Sequence, residues 1–149
     1  MSNELDPQTL AQACADSMFS RDQASQQLGM KIESVEPGKA VMSMTVDERM
    51  IQGHGNCHGG YLFTLADSAF AFACNSYDRA TVASGCSIEY MRPAQLGDRL
   101  TATAHEVSRG RRTGVYDITI TNQVGKVLVL FRGKSFEVDG SVRRLEENT

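Results

Sequence analysis

The sequence has no surplus of positive charge: fifteen Lys and Arg stand against eighteen Asp and Glu, a formal charge of −3. No net field is present to hold a nucleic acid or an anionic membrane, so any anion site must be local. A long hydrophobic run is also missing. The longest, Tyr61 to Cys74, is shorter than a bilayer span and contains Asp67, which argues against a transmembrane helix. Met1 to Met18 carries Glu4, Asp6 and Asp16 before any basic residue, the reverse of a secretory leader, and the expected location is the cytoplasm. The four cysteines, Cys14, Cys57, Cys74 and Cys86, form no Cys-x-x-Cys pair, so reduced thiols are expected rather than a zinc ribbon or redox motif.

What remains is ordinary globular material. The 149 residues, 41% hydrophobic and 22% charged with 13 Gly and 3 Pro, fit one domain over 1–149 with one core. Asp6 reads as an N-cap with Pro7 at the first helical position and Leu5 set to staple against Leu10; Leu10, Cys14 and Met18 mark the apolar stripe. A second short helix over Asp22 to Leu28 should stop at Gly29. These form a peripheral N-terminal helical extension, residues 1–28.

From Met30 the period changes to two, and Glu36-Pro37-Gly38-Lys39 supplies the turn of a hairpin that continues from Ala40 to Val46. After a polar loop from Asp47 to Cys57, the segment Gly59 to Asn75 is free of proline and apolar on nearly every side, which predicts a helix buried almost all round. Strands follow at Thr81 to Tyr90, Arg99 to Val107, Thr113 to Asn122 and Lys126 to Val138, with connections short enough to imply antiparallel neighbours. The fold class is α+β, a twisted antiparallel sheet curled around one helix, with a flexible tail over 140–149.

Asp67 is the most informative residue, because an ionised carboxylate two turns inside an apolar helix costs several kcal/mol unless something compensates. Thr64, Asp67, Ser68 and Ala71 lie at i, i+3, i+4 and i+7, a narrow stripe able to line a cleft. A carboxylate satisfied by local donors is the plainer alternative. At the start of the same helix, His58-Gly59-Gly60 offers unpaired amides, the positive dipole end and close access to the backbone, which suits an oxyanion hole as well as a simple glycine turn. Gly59 and Asp67 are about 12 Å apart along the helix, whereas groups acting on one reacting centre must converge to about 3.5 Å. Either only one of the two is functional, or a second copy of the helix runs antiparallel and the site belongs to a two-fold dimer.

His54 and His58 flank Cys57, but no further ligand set accompanies them and no metal is expected. A Cys57–His58 nucleophilic pair is disfavoured because adjacent side chains in a loop diverge; His58 more simply fixes the loop. Arg109-Gly110-Arg111-Arg112 is a cationic turn that can hold phosphates or merely form a solvated tip, with Arg132 and Lys134 as possible additions. Arg92-Pro93 reads as a strand end, and His105 as a surface residue.

The run Gly53-His54-Gly55-Asn56-Cys57-His58-Gly59-Gly60, then Leu65-Ala66-Asp67-Ser68-Ala69-Phe70, resembles the hotdog-fold acyl-CoA thioesterases of the phenylacetate-degradation (PaaI) type. The likeness continues through Tyr90-Met91-Arg92-Pro93-Ala94, Thr113-Gly114-Val115-Tyr116 and Phe131-Arg132-Gly133-Lys134, spanning about residues 27 to 138. It implies hydrolysis of aryl-acyl-CoA thioesters such as phenylacetyl-CoA or its ring-hydroxylated form, without a cofactor, in dimers and commonly tetramers. It places Asp67 as nucleophile or general base and Gly59 N–H as the donor to the thioester carbonyl. His58 would support the loop, Gly60 would extend the amide nest, and Ser84 or Ala83 would lie near the attacking water. Coenzyme A would run along Tyr90 and the Arg109 to Arg111 turn. Gln52 stands where such sequences usually show Asn to orient the thioester or water, with Asn56 as a candidate substitute. The competing expectations are a non-catalytic acyl-CoA-binding sensor and, on the same fold, an acyl-thioester dehydratase or hydratase.

Overall fold

A computed structural model describes residues 5–143. Asp6 caps helix α1 (Pro7–Arg21) by accepting the Thr9 amide at 2.7 Å, and Asp22 caps α2 (Gln23–Gln27) through Ser25 N at 2.9 Å. Gly29 follows at φ +71°, the left-handed conformation that ends the helical stretch. Helix α1 is less peripheral than its sequence suggests, since Ala11 and Ala15 enter the core.

Strands β1 (Lys31–Glu36) and β2 (Lys39–Thr45) form the hairpin. Helix α3 (Gly59–Cys74) follows, then β3 (Thr81–Tyr90), β4 (Arg99–Arg109), β5 (Thr113–Thr121) and β6 (Val127–Glu137). One antiparallel sheet results, in the order β1-β2-β4-β5-β6-β3. It holds α3 against its inner face, where Leu65, Ala69 and Phe70 meet Met42, Leu100, Ala102, Ile118 and Phe131. This is the hotdog arrangement. Gly133 of β6 makes the closest approach possible: a Cβ there would stand 2.8 Å from the Phe70 ring.

Strand β3 lies beside β6, not beside β4 as its short connection suggests. Residues 91–98 explain how. About eight extended residues reach about 26 Å, more than the three inter-strand steps of about 4.8 Å between β3 and β4. The segment runs along the sheet end, held by Met91 N to Leu128 O at 2.8 Å, Cys57 N to Ala94 O at 2.9 Å and Val46 N to Asp98 O at 2.9 Å.

The two sheet edges differ. Helix α1 packs on β1, and Gln8 Nε2 donates to Val35 O at 2.8 Å. Nothing among the described residues pairs with the outer side of β3, whose Val82, Ala83, Ser84, Cys86 and Tyr90 are exposed. Beside this edge, α3 is not buried all round: Phe63, Thr64, Asp67 and Ala71 are half-buried, an open stripe along the helix. The tail expected to be free is held over its first residues, where Asp78 accepts Ser141 Oγ at 2.8 Å and Arg143 Nη2 at 2.9 Å, and Val142 is buried. Its remainder, 144–149, lies outside the described residues.

Candidate active site

The loop before α3 is built to fix His58. Gln52 N donates to Asn56 O at 2.8 Å, Gly55 N to Gln52 O at 2.9 Å, and Gly55 takes φ +90°. The Gln52 side-chain carbonyl accepts the His54 amide, so this residue braces its own loop at the cavity wall. His58 N donates to Met50 O at 2.7 Å.

His58 is the N-cap of α3. Its Nδ1 accepts the Gly60 amide at 2.9 Å, which places the imidazole proton on Nε2, and its carbonyl accepts Tyr61 N at 3.0 Å. Of the first three amides of α3, only Gly59 N–H is left without an acceptor among the described residues. The expectation that Gly60 extends an amide nest is corrected on this point, since its N–H is engaged by His58. A single free amide at a helix start, with the dipole behind it, suits one developing negative charge.

Asp67 is half-buried and accepts no hydrogen bond among the described residues. The neighbouring hydroxyls of the helix point elsewhere: Thr64 Oγ1 donates to Gly60 O at 2.8 Å, and Ser68 Oγ pairs with Ser25 Oγ at 2.9 Å. Burial therefore raises the Asp67 pKa above its ordinary value without opposition. The nearby Cys86 thiol is pushed up by burial and then by the Asp67 charge. Within one chain Asp67 sits about 12 Å along α3 from Gly59, so the chain alone does not bring the pair together.

A register shift in β3 falls at Ala83 and Ser84. The bulge falls between Ala83 and Gly85, and Ser84 Oγ donates to Lys134 O at 3.2 Å. Ala83 opposes Ser135 and Cys86 opposes Gly133, both buried positions of β6, so these two side chains share the face toward α3.

A cavity of about 390 Å³ opens at the start of α3, lined by Gln52, Asn56, Gly59, Leu62, Tyr90 and Arg92 among others. Tyr90 donates its hydroxyl to Gly59 O at 3.0 Å. Arg92, read from sequence only as a strand end, belongs to this cavity and donates to Val127 O at 3.1 Å. Its signal was the Pro93 that follows, which forces an extended conformation and turns the chain across the sheet end.

The Arg109 turn lies elsewhere. The Arg109 guanidinium stacks 3.6 Å over the Tyr77 ring, just past the C-terminal end of α3, and Gly110 N donates to Thr113 O at 2.8 Å while Arg111 is exposed. The 16 residues of α3 put about 24 Å between this end and Gly59. Tyr90 and Arg109 of one chain thus stand at opposite ends of the helix. Arg132 does not join the turn, because Asp117 holds it at 2.6 and 2.8 Å on the outer face of the sheet, where His105 is also exposed. Cys57 donates to His58 O at 3.6 Å, and burial pushes its thiol up to about 11, which makes it a poor nucleophile. Among the described residues no three His, Cys, Asp or Glu converge in a metal-binding group.

Comparison with known proteins places this geometry in a family. The Thioesterase superfamily description matches residues 54–129. The acyl-coenzyme A thioesterase PaaI of Escherichia coli (strain K12) is 51% identical over 128 residues, covering 86% of this chain and 91% of that protein. The structure of the E. coli PaaI protein from the phenylacetic acid degradation operon superposes with a TM-score of 0.90 at 48% identity, over 91% of this chain and 99% of that one. A hypothetical thioesterase protein from Streptococcus pneumoniae TIGR4, solved with coenzyme A, gives a TM-score of 0.72 at 33% identity, over 74% of this chain and 90% of that one. The helix that carries Gly59 and Asp67, wrapped by this sheet, is that of a member of the thioesterase superfamily, to which the chain belongs.

Proposed function

We propose that the protein hydrolyses aryl-acyl-CoA thioesters of the phenylacetyl or hydroxyphenylacetyl type to the free acid and coenzyme A, in a site shared between two subunits. The observation that carries this reading is a pair of groups on α3 unmatched among the described residues: the Gly59 amide without an acceptor and the Asp67 carboxylate without a hydrogen-bond donor. Each lacks what the other would share across a substrate.

The unpaired edge of β3 and the open stripe of α3 lie side by side, and such an edge invites strand pairing. Two copies related by a two-fold axis through this region run their α3 helices antiparallel, which sets Gly59 against Asp67 of the partner subunit. The same axis brings the Tyr90 end of one β3 toward the Arg109 to Arg111 turn of the other chain, so one CoA can touch both. The outer sheet face, with exposed Leu130 and Phe136 and a hollow of about 370 Å³ between Glu89, Asp117 and Arg132, supports a further pairing of dimers into a tetramer.

In the reaction, Gly59 N–H donates to the thioester carbonyl oxygen and stabilises the negative charge it gains. Asp67 of the partner subunit either adds directly to the carbonyl carbon, expelling the CoA thiolate and leaving an anhydride that water cleaves, or takes a proton from the water that adds. Both routes convert thioester and water to carboxylic acid and thiol. His58 keeps the Gly59 amide free by engaging Gly60, while Gln52 and Asn56 hold the loop at the cavity wall. The four free thiols suit a cytoplasmic setting, where acyl-CoA is met.

The test is thiol release from a panel of acyl-CoAs, with phenylacetyl-CoA and hydroxyphenylacetyl-CoA expected to react fastest. Tight binding without thiol release would make the protein a sensor instead. Release of label into the Asp67 carboxylate during a single turnover in heavy-oxygen water would favour the anhydride route.

A further inference from the structure

Two segments far apart in sequence meet at the first residue of α3. The Tyr90 hydroxyl donates to Gly59 O at 3.0 Å, and its ring lies so near that a Cβ at residue 59 would stand 3.1 Å from Cζ and 3.2 Å from Cε1. The strand has no need of this contact. Tyr90 is already set opposite Val129 in the β3–β6 ladder, and the next residue donates from Met91 N to Leu128 O at 2.8 Å. Nor is the ring a core element, for it remains 51% exposed at the wall of the cavity that contains Gly59.

The site needs such a contact. An amide that stabilises an oxyanion must be held in direction, since a donor displaced by a fraction of an ångström loses much of its effect. Gly59 and Gly60 are the two most flexible residues available, at the end of a helix where the turn is least constrained. His58 restrains this turn from one side through the Gly60 amide. From the other side Tyr90 adds a second donor to the Gly59 carbonyl, which already accepts in the helix ladder, and covers the face of its Cα.

We infer that Tyr90 is a positioning residue for thioester hydrolysis: its hydroxyl fastens the Gly59 carbonyl and its ring backs the Gly59 Cα, so that the free Gly59 amide stays aimed into the cleft. This rests on the reading that Gly59 N–H polarises the substrate carbonyl. It differs from a role for Tyr90 in gripping coenzyme A, which would act on binding.

The variants Tyr90→Phe and Tyr90→Leu separate hydroxyl from ring in the full-length protein. Tyr90→Phe is expected to lower kcat by about tenfold with KM changed by less than about twofold and the melting temperature unchanged; Tyr90→Leu lowers kcat further. A second readout is the infrared stretch of a ¹³C-labelled thioester carbonyl in phenylacetyl-CoA bound to Asp67→Asn. Its downshift from the free ligand should shrink when Tyr90→Phe is added. A downshift that Tyr90→Phe leaves unaltered, or a raised KM at unchanged kcat, overturns the role of Tyr90 alone. If Asp67→Asn binds the ligand with no downshift at all, the Gly59 reading itself fails and this role goes with it.

Discussion

His58 Nδ1 accepts the amide of Gly60 at 2.9 Å, and by doing so it leaves the neighbouring Gly59 amide as the one donor of the first turn that is open among the described residues. An imidazole is an uncommon N-cap, and here it selects which amide is free as well as ending the helix. His58→Ala should cost about 1 kcal/mol of stability through the lost cap and lower kcat, because Gly60 N–H then competes for the substrate oxygen. His58→Asn should restore the stability by capping in the same way. Thermal unfolding and steady-state kinetics of the two variants check this; equal melting temperatures for wild type and His58→Ala would contradict it.

Asp67 is held in a place that penalises its charge. Burial raises its pKa above the unfolded-chain value, so between the two the folded state keeps a proton that the unfolded state releases. The stability linked to this group is therefore present at low pH and lost as pH rises through the folded pKa. Asp67→Asn should melt at a higher temperature than wild type at neutral pH, with the difference vanishing in acid, while kcat falls by about 10³-fold or more. The wild-type rate should rise with pH through a pKa above the usual aspartate range. Melting curves at two pH values and a kcat profile test both halves, and a destabilised Asp67→Asn would count against the account.

Ser68 neighbours Asp67 in sequence but turns toward α2, where it pairs with the buried Ser25 that also donates to Asp22 at 2.6 Å. Ser68→Ala should thus leave kcat and KM near wild type and cost about 1 kcal/mol of stability from the lost hydrogen bond. A large loss of turnover in this variant would place the hydroxyl back in the reaction.

Gly59 tolerates no side chain without moving Tyr90, since a Cβ would stand 3.1 Å from its ring. The obstacle is the end of a mobile side chain, so Gly59→Ala should fold with nearly the wild-type melting temperature. Its kcat should drop by about 10²-fold as the amide shifts. Circular dichroism and kinetics on one preparation decide whether fold and activity separate in this way.

The elements near Gly59 were legible because their signals are local: the apolar period of α3, the His58-Gly59-Gly60 start and the Gly29 stop each reside in a few adjacent residues. The position of β3 was not, because a connection over residues 91–98 can serve a neighbour or pass two intervening strands with equal ease. Hydroxyl directions were hidden for a similar reason. Thr64 bonds back to Gly60 one turn earlier, while Ser68 reaches a helix more than forty positions away, and neither choice is marked in the residue type. The ring of Tyr90 over Gly59 likewise depends on how the end of a strand meets the start of a helix, which periodicity does not encode.

The shared site is tested most directly by mixing two inactive variants, Asp67→Asn and Gly59→Val, after subunit exchange. If Gly59 of one chain works with Asp67 of the other, each mixed dimer contains one intact site and one doubly altered site. With half of the dimers mixed, about one quarter of wild-type activity should return. Recovery of no activity, with mixed dimers demonstrated by native mass spectrometry, would contradict a site divided between subunits.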